Sequence, residues 1–171
     1  QADYVLRDLS PSRGLGDVYK RQYLMKSITD ATDPNLNQFL KDNGGKLIIY
    51  HGWVDTLIVG EDTVDYFEEM VNATFDGDIT RAAQDARLFM APGMGHCAGG
   101  PGPNTWDKLV PMVDWVENDI APDFVVAEHI TDGQVDNQRP VCAYPKQAKY
   151  VGPINDANNP INWVAQNFEC R

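Results

Sequence analysis

Two short apolar runs with a helical stripe between them constrain this chain more than any other feature it has. The runs are Lys46-Leu47-Ile48-Ile49-Tyr50 and Leu88-Phe89-Met90-Ala91, and both read as strands. Between them, acidic Glu61-Asp62 opens a helix whose apolar stripe is Val64, Phe67 and Val71. After the second run, Trp106, Leu109, Val113 and Val116 recur at helical spacing, with Pro111 interrupting them. A turn near 104–109 and a helix restarting at about 110 are therefore expected. Strand, helix, strand, helix is the pattern of a parallel sheet covered by helices, so the fold class is α/β. A short helix opened by Thr32-Asp33-Pro34 and running to about Leu40 precedes the first strand, and Asn43-Gly44-Gly45 ends it. Beyond Pro122 the chain turns β-rich, with strands expected from Phe124 to Ile130, Arg139 to Tyr144 and Ala148 to Val151. The final Asn-rich stretch reads as loop.

Each of the two first strands empties into a loop that carries chemistry. Tyr50 is followed by His51-Gly52-Trp53-Val54-Asp55, and Ala91 by Pro92-Gly93-Met94-Gly95-His96-Cys97-Ala98-Gly99-Gly100. Asp55 lies five residues past its strand and His96 five past its own. Matching offsets are expected where both loops meet above one sheet edge. Glycines around a single imidazole bend the backbone so that the ring projects into an open site. The pair reads as the acid and base of an α/β-hydrolase triad, in the chain order acid then histidine. Taken alone, Asp55 reads as a helix cap or a turn aspartate. His51 competes for the role of base, but its place against a strand end before Gly52 marks it as a packed or supporting histidine. His129, in the tail and without a glycine turn, reads as structural. A metal set of His51, Asp55 and His96 lacks any HExxH or close His-x-His spacing. Gly99-Gly100-Pro101-Gly102-Pro103 lacks the GK[ST] ending of a phosphate loop and reads as a turn. The three serines are Ser10, Ser12 and Ser27, none within Gly-x-Ser-x-Gly, so this stretch offers no credible nucleophile.

Composition narrows the partners. A formal charge of −11 opposes binding to the phosphates of nucleic acid. No run of about 18 apolar residues is present, so no membrane span is expected. Of the three cysteines, Cys142 and Cys170 flank a polar tail and read as closing a loop on each other, which suits an oxidising compartment. Cys97, beside His96, is left as either a small buried thiol or the partner of a cysteine absent from these 171 residues. The sequon Asn72-Ala73-Thr74 fits a secreted protein.

Residues 1–22 read differently from the rest. Asp17-Val18-Tyr19-Lys20-Arg21-Gln22 back-translates to GAT GTG TAT AAG AGA CAG, the transposase end sequence of library preparation. The expected organisation is a non-native or disordered leader at 1–22, a hydrolase-like half-domain at 23–122 and a β-rich extension of the same domain at 123–171.

Several blocks together carry a resemblance. They are Lys46 to Asp55, Phe89 to Cys97, Pro101-Gly102-Pro103-Asn104, Val113-Asp114-Trp115-Val116-Glu117 and Arg139-Pro140-Val141-Cys142-Ala143-Tyr144-Pro145. The stretch from about Thr29 to Cys170 resembles the C-terminal half of the tannase/feruloyl esterase family. The resemblance implies the C-terminal part of an α/β-hydrolase fold in a secreted or periplasmic serine esterase acting on small aromatic-acid esters. It implies Asp55 as acid, His96 as base, Cys97 as one half of a disulfide to a missing cysteine beside the serine, and a Cys142–Cys170 disulfide. The serine elbow, the oxyanion-hole donors, the lid and the calcium often held in that lid belong to upstream sequence, so no cofactor is expected here and the chain alone is expected to be inactive. The alternative expectation is a catalytically dead binding module derived from a hydrolase half-fold.

Overall fold

A computed structural model describes residues 30–153 and 159–171, together with Met25 and Ile28. The expected leader at 1–22 lies outside the described residues. Residues 34–171 form one compact unit. Within it the elements are a one-turn π-helix Gln38–Asp42, β1 Leu47–Gly52, α1 Gly60–Phe75, α2 Ile79–Ala82, β2 Ala86–Ala91, α3 Val110–Asn118, β3 Phe124–Thr131, β4 Gln134–Cys142, β5 Ala148–Tyr150, two short 3-10 turns, and β6 Phe168–Cys170.

β1 and β2 pair in parallel, Leu47 opposite Ala86 through Gly52 opposite Ala91. Side chains alternate across a strand, and here both sides of β2 are covered. On one side Ala86, Leu88 and Met90 meet Phe67, Met70, Val71 and Phe75 of α1, with Leu47 and Ile49 of β1 packed against them. On the other, Phe89 and Ala91 join Met94, Val125, Ala127, Val141 and Ala143, with Ile48 and Trp106 alongside. Alternation therefore sends His51, two residues past Ile49, to the same side as α1. The hairpin β3–β4 is closed by Asp132-Gly133, both at positive φ (50° and 77°), the conformation of a two-residue hairpin turn. The chain after β4 runs beside β2, where the Tyr144 N–H donates to Leu88 O and the Tyr144 hydroxyl to Glu68 Oε1. A Cys142–Cys170 disulfide fastens β6, paired with β5, to the end of β4.

Four expectations need correction. The first helix is not a run from Pro34 to Leu40 but a single wide π-turn at 38–42. Residues 34–36 are instead pinned to α1, since Leu36 N–H donates to Thr74 Oγ1 and that hydroxyl donates to Pro34 O. The helix after Pro111 starts at Val110 as expected, yet its buried residue is Trp115, while Leu109, Val113 and Val116 are exposed. Trp115, 1% exposed, lies beneath Lys46 and Arg87, with the cations 5.7 and 5.8 Å from its ring, and burying this large side chain turns the helix away from the valine stripe. β4 begins at Gln134 rather than Arg139, because the tight turn starts pairing at once. Its polar outer end is held by side chains instead of a core: His129 Nδ1 to Asp136 Oδ1 (2.7 Å), Thr131 Oγ1 to Asp136 Oδ2 and Gln138 Nε2 to Glu128 Oε1. The tail, read as loop, contains β6, positioned by its disulfide.

Candidate active site

The backbone at the ends of β1 and β2 brings the two loops together. Trp53 N–H donates to Ala91 O and Val54 N–H to Met94 O (3.1 Å), so the β1 loop is zipped to the start of the β2 loop. That approach needs a glycine at position 52, where a Cβ would overlap Met94 O and Gly95 O. The β2 loop folds on itself through Gly95 N–H to Gly99 O and Gly102 N–H to Gly93 O. Gly93 sits at φ 80°, with its α-carbon against the backbone of Gly102. This double turn pushes His96 out of the loop, its side chain 43% exposed.

Asp55 is the reverse case, with a side chain only 3% exposed. Its carboxylate accepts four hydrogen bonds. Oδ1 takes the amide N–H groups of Leu57 (2.8 Å) and Ile58 (3.1 Å) from its own turn. Oδ2 takes His96 Nδ1 at 2.8 Å and His51 Nε2 at 3.2 Å. Desolvation pushes the Asp55 pKa upward, but the two amide donors and His96 outweigh it and hold the carboxyl well below its ordinary range. Asp55 thus remains ionised. His96, donating through Nδ1, keeps its Nε2 lone pair for a proton from outside. The arrangement suits general-base chemistry at Nε2, with a buried carboxylate fixing tautomer and ring angle.

The structure thus brings Asp55 and His96 together across 41 residues of chain. His51, read from sequence as a supporting residue, joins them through the same carboxylate. The three meet as donors and acceptor, with both imidazoles aimed at an oxygen that is already shared, and not as a metal set. Among the described residues no group of three or more His, Cys, Asp or Glu is arranged to hold a metal ion. Cys97 is exposed and unbridged, and it takes a left-handed φ of 62° beside His96. Thr63 was missed in sequence. Its hydroxyl lies 2.6 Å from His51 Nδ1, and the signal available was its place one turn into α1 on the side that faces β1. No helix among the described residues is long and apolar enough to cross a membrane.

Fold and site together define an α/β protein with a histidine–carboxylate pair where two parallel strands end. The chain matches the family described as tannase and feruloyl esterase over residues 15–163, and it belongs to that family. It is 43% identical over 137 residues to a mono(2-hydroxyethyl) terephthalate hydrolase of Piscinibacter sakaiensis, covering 78% of this chain and 22% of that one. It is 34% identical over 149 residues to feruloyl esterase B of Aspergillus niger, covering 78% and 28%. Among solved structures, feruloyl esterase B from Aspergillus oryzae superposes with a TM-score of 0.68 at 30% identity, over 81% of this chain and 29% of that one. Tannin acyl hydrolase from Aspergillus niger superposes at 0.71 over 97% and 29%, and at 23% identity it is similar in fold alone. The chain thus spans less than a third of the length of these relatives.

Proposed function

We propose that this chain is the C-terminal part of an α/β-hydrolase-type carboxylic ester hydrolase acting outside the cytoplasm on esters of aromatic acids. The observation that carries the reading is His96 Nδ1, 2.8 Å from the buried Asp55 carboxylate, with the His96 side chain 43% exposed. In this reaction Nε2 takes the proton of a serine hydroxyl supplied by sequence outside these residues. The serine oxygen bonds to the ester carbonyl carbon, and the resulting oxyanion collapses to expel the alcohol. The alcohol leaves with the proton held on Nε2, and a water molecule then repeats both steps to free the acid. Asp55 stays ionised throughout and stabilises the imidazolium. Relatives named for feruloyl and mono(2-hydroxyethyl) terephthalate esters support an aromatic acyl group. Cys97 would bridge to a cysteine near that serine, tethering the loop of the base.

The test uses the protein encoded by the full-length transcript, with methyl ferulate, methyl gallate and mono(2-hydroxyethyl) terephthalate as substrates. Hydrolysis of at least one is expected, falling roughly 10³–10⁴-fold in His96→Gln and Asp55→Asn. Equal rates in both variants would remove these residues from the mechanism. A second reading is a binding module without turnover. It requires a transcript without an upstream serine elbow and a chain that is monodisperse alone. The esterase reading instead expects association through the β1 edge, since β1 pairs only with β2 among the described residues.

A further inference from the structure

The acid–base pair leaves one buried polar group unexplained. The His51 side chain is 11% exposed, so the imidazole must satisfy both nitrogens within the protein. Nε2 faces two acceptors and no donor, Asp55 Oδ2 and Ile58 O, each at 3.2 Å. Nε2 must therefore carry a proton. In a neutral ring Nδ1 is then an acceptor, and its neighbour at 2.6 Å is the Thr63 hydroxyl, which can donate. The network selects one tautomer of one ring and links α1 to the carboxylate: Thr63 O–H to His51, His51 N–H to Asp55, with His96 N–H arriving at the same oxygen.

We infer that His51 is a positioning residue, its Nε2–H tautomer selected by the two acceptors Asp55 Oδ2 and Ile58 O, that fixes Asp55 Oδ2 for His96. The inference rests on the reading of Asp55 and His96 as acid and base. The two amide donors of the turn restrain Oδ1. Without a second donor on the other side, the carboxylate plane could tilt about those bonds and carry Oδ2 away from His96 Nδ1. With His51 in place both oxygens are held, and rotation breaks bonds at each. Thr63 acts one step further out, since its hydroxyl at 2.6 Å from Nδ1 holds the plane of the His51 ring.

The test is ¹H–¹⁵N spectroscopy of the histidine rings in the full 171-residue chain, and it requires no turnover. The parent is expected to show His51 as Nε2–H and His96 as Nδ1–H. In His51→Leu the His96 ring should become a mixture of tautomers, with its Nδ1–H exchanging with water about tenfold faster, as loss of one hydrogen bond's restraint implies. His51→Gln, whose amide N–H can reach the place of Nε2–H, should restore the parent pattern. In Thr63→Val the imidazole stays Nε2–H but its ring is released at Nδ1, so His96 Nδ1–H exchange should rise toward that of His51→Leu, which keeps the inference testable if His51→Leu does not fold. Unchanged backbone signals from the β3–β4 hairpin report that a variant is folded. A parent His51 protonated at Nδ1, or a folded His51→Leu with His96 exchange equal to the parent, overturns the inference. Absence of ester hydrolysis would count against the proposed function and leave these ring spectra as they are, so the two can fail separately.

Discussion

At the scale of single residues, the site depends on one carboxylate with a full set of donors and one glycine without a side chain. Folding lowers the Asp55 pKa below its ordinary 3.8, so its ionised form stabilises the native state. That contribution is present above pH 3.8 and is lost as pH falls from there through the depressed folded value. Urea unfolding of the chain between pH 3 and pH 7 should therefore show a shallower acid loss in Asp55→Asn than in the parent. Parallel pH profiles would show that Asp55 is not held ionised by folding. Gly52→Ala places a methyl group into Met94 O and Gly95 O, and the loop bearing His96 has to move. The expected cost is about 1–3 kcal/mol in denaturant unfolding, with shifted His96 ring signals, as for other overpacked sites.

At the scale of elements, the chain shows how side chains outside an element decide where it begins. Thr74, 1% exposed in the last turn of α1, accepts from Leu36 N–H and donates to Pro34 O. Removing the hydroxyl leaves a buried donor and acceptor without partners. Thr74→Val is expected to destabilise the chain by about 1–3 kcal/mol in urea unfolding, and Thr74→Ser by less. The same logic explains the early start of β4, where a turn and three side-chain bonds stand in for hydrophobic burial.

At the scale of the whole molecule, the Cys142–Cys170 bond closes a loop spanning 28 residues and ties β5 and β6 to the end of β4. The bond removes freedom from the unfolded chain as the logarithm of the loop length, which corresponds to roughly 3–4 kcal/mol in a chain-entropy account. The double variant Cys142→Ser/Cys170→Ser should unfold at correspondingly lower urea, and reduction of the parent should reproduce the shift.

Much of this architecture was legible in the sequence because its signals are local. Apolar runs at 46–50 and 88–91, acidic residues opening α1, Pro111 in the first turn of α3 and glycines around His96 each express a backbone preference that needs no distant partner. The equal offsets of Asp55 and His96 from their strands were legible for the same reason, since parallel strands in register end at one edge. What remained hidden depends on partners far along the chain. Trp115 overrode the valine stripe of α3 because its large ring is buried beneath Lys46 and Arg87, and Thr74 replaced a helix with a pinned segment. Thr63 entered the site only because β1 and α1 pack face to face. Sequence by itself determined the order of elements and which side chains could do acid–base work. Tertiary structure alone decided that one carboxylate oxygen serves two histidines, because hydrogen-bond geometry is set by how elements pack and not by how residues follow one another.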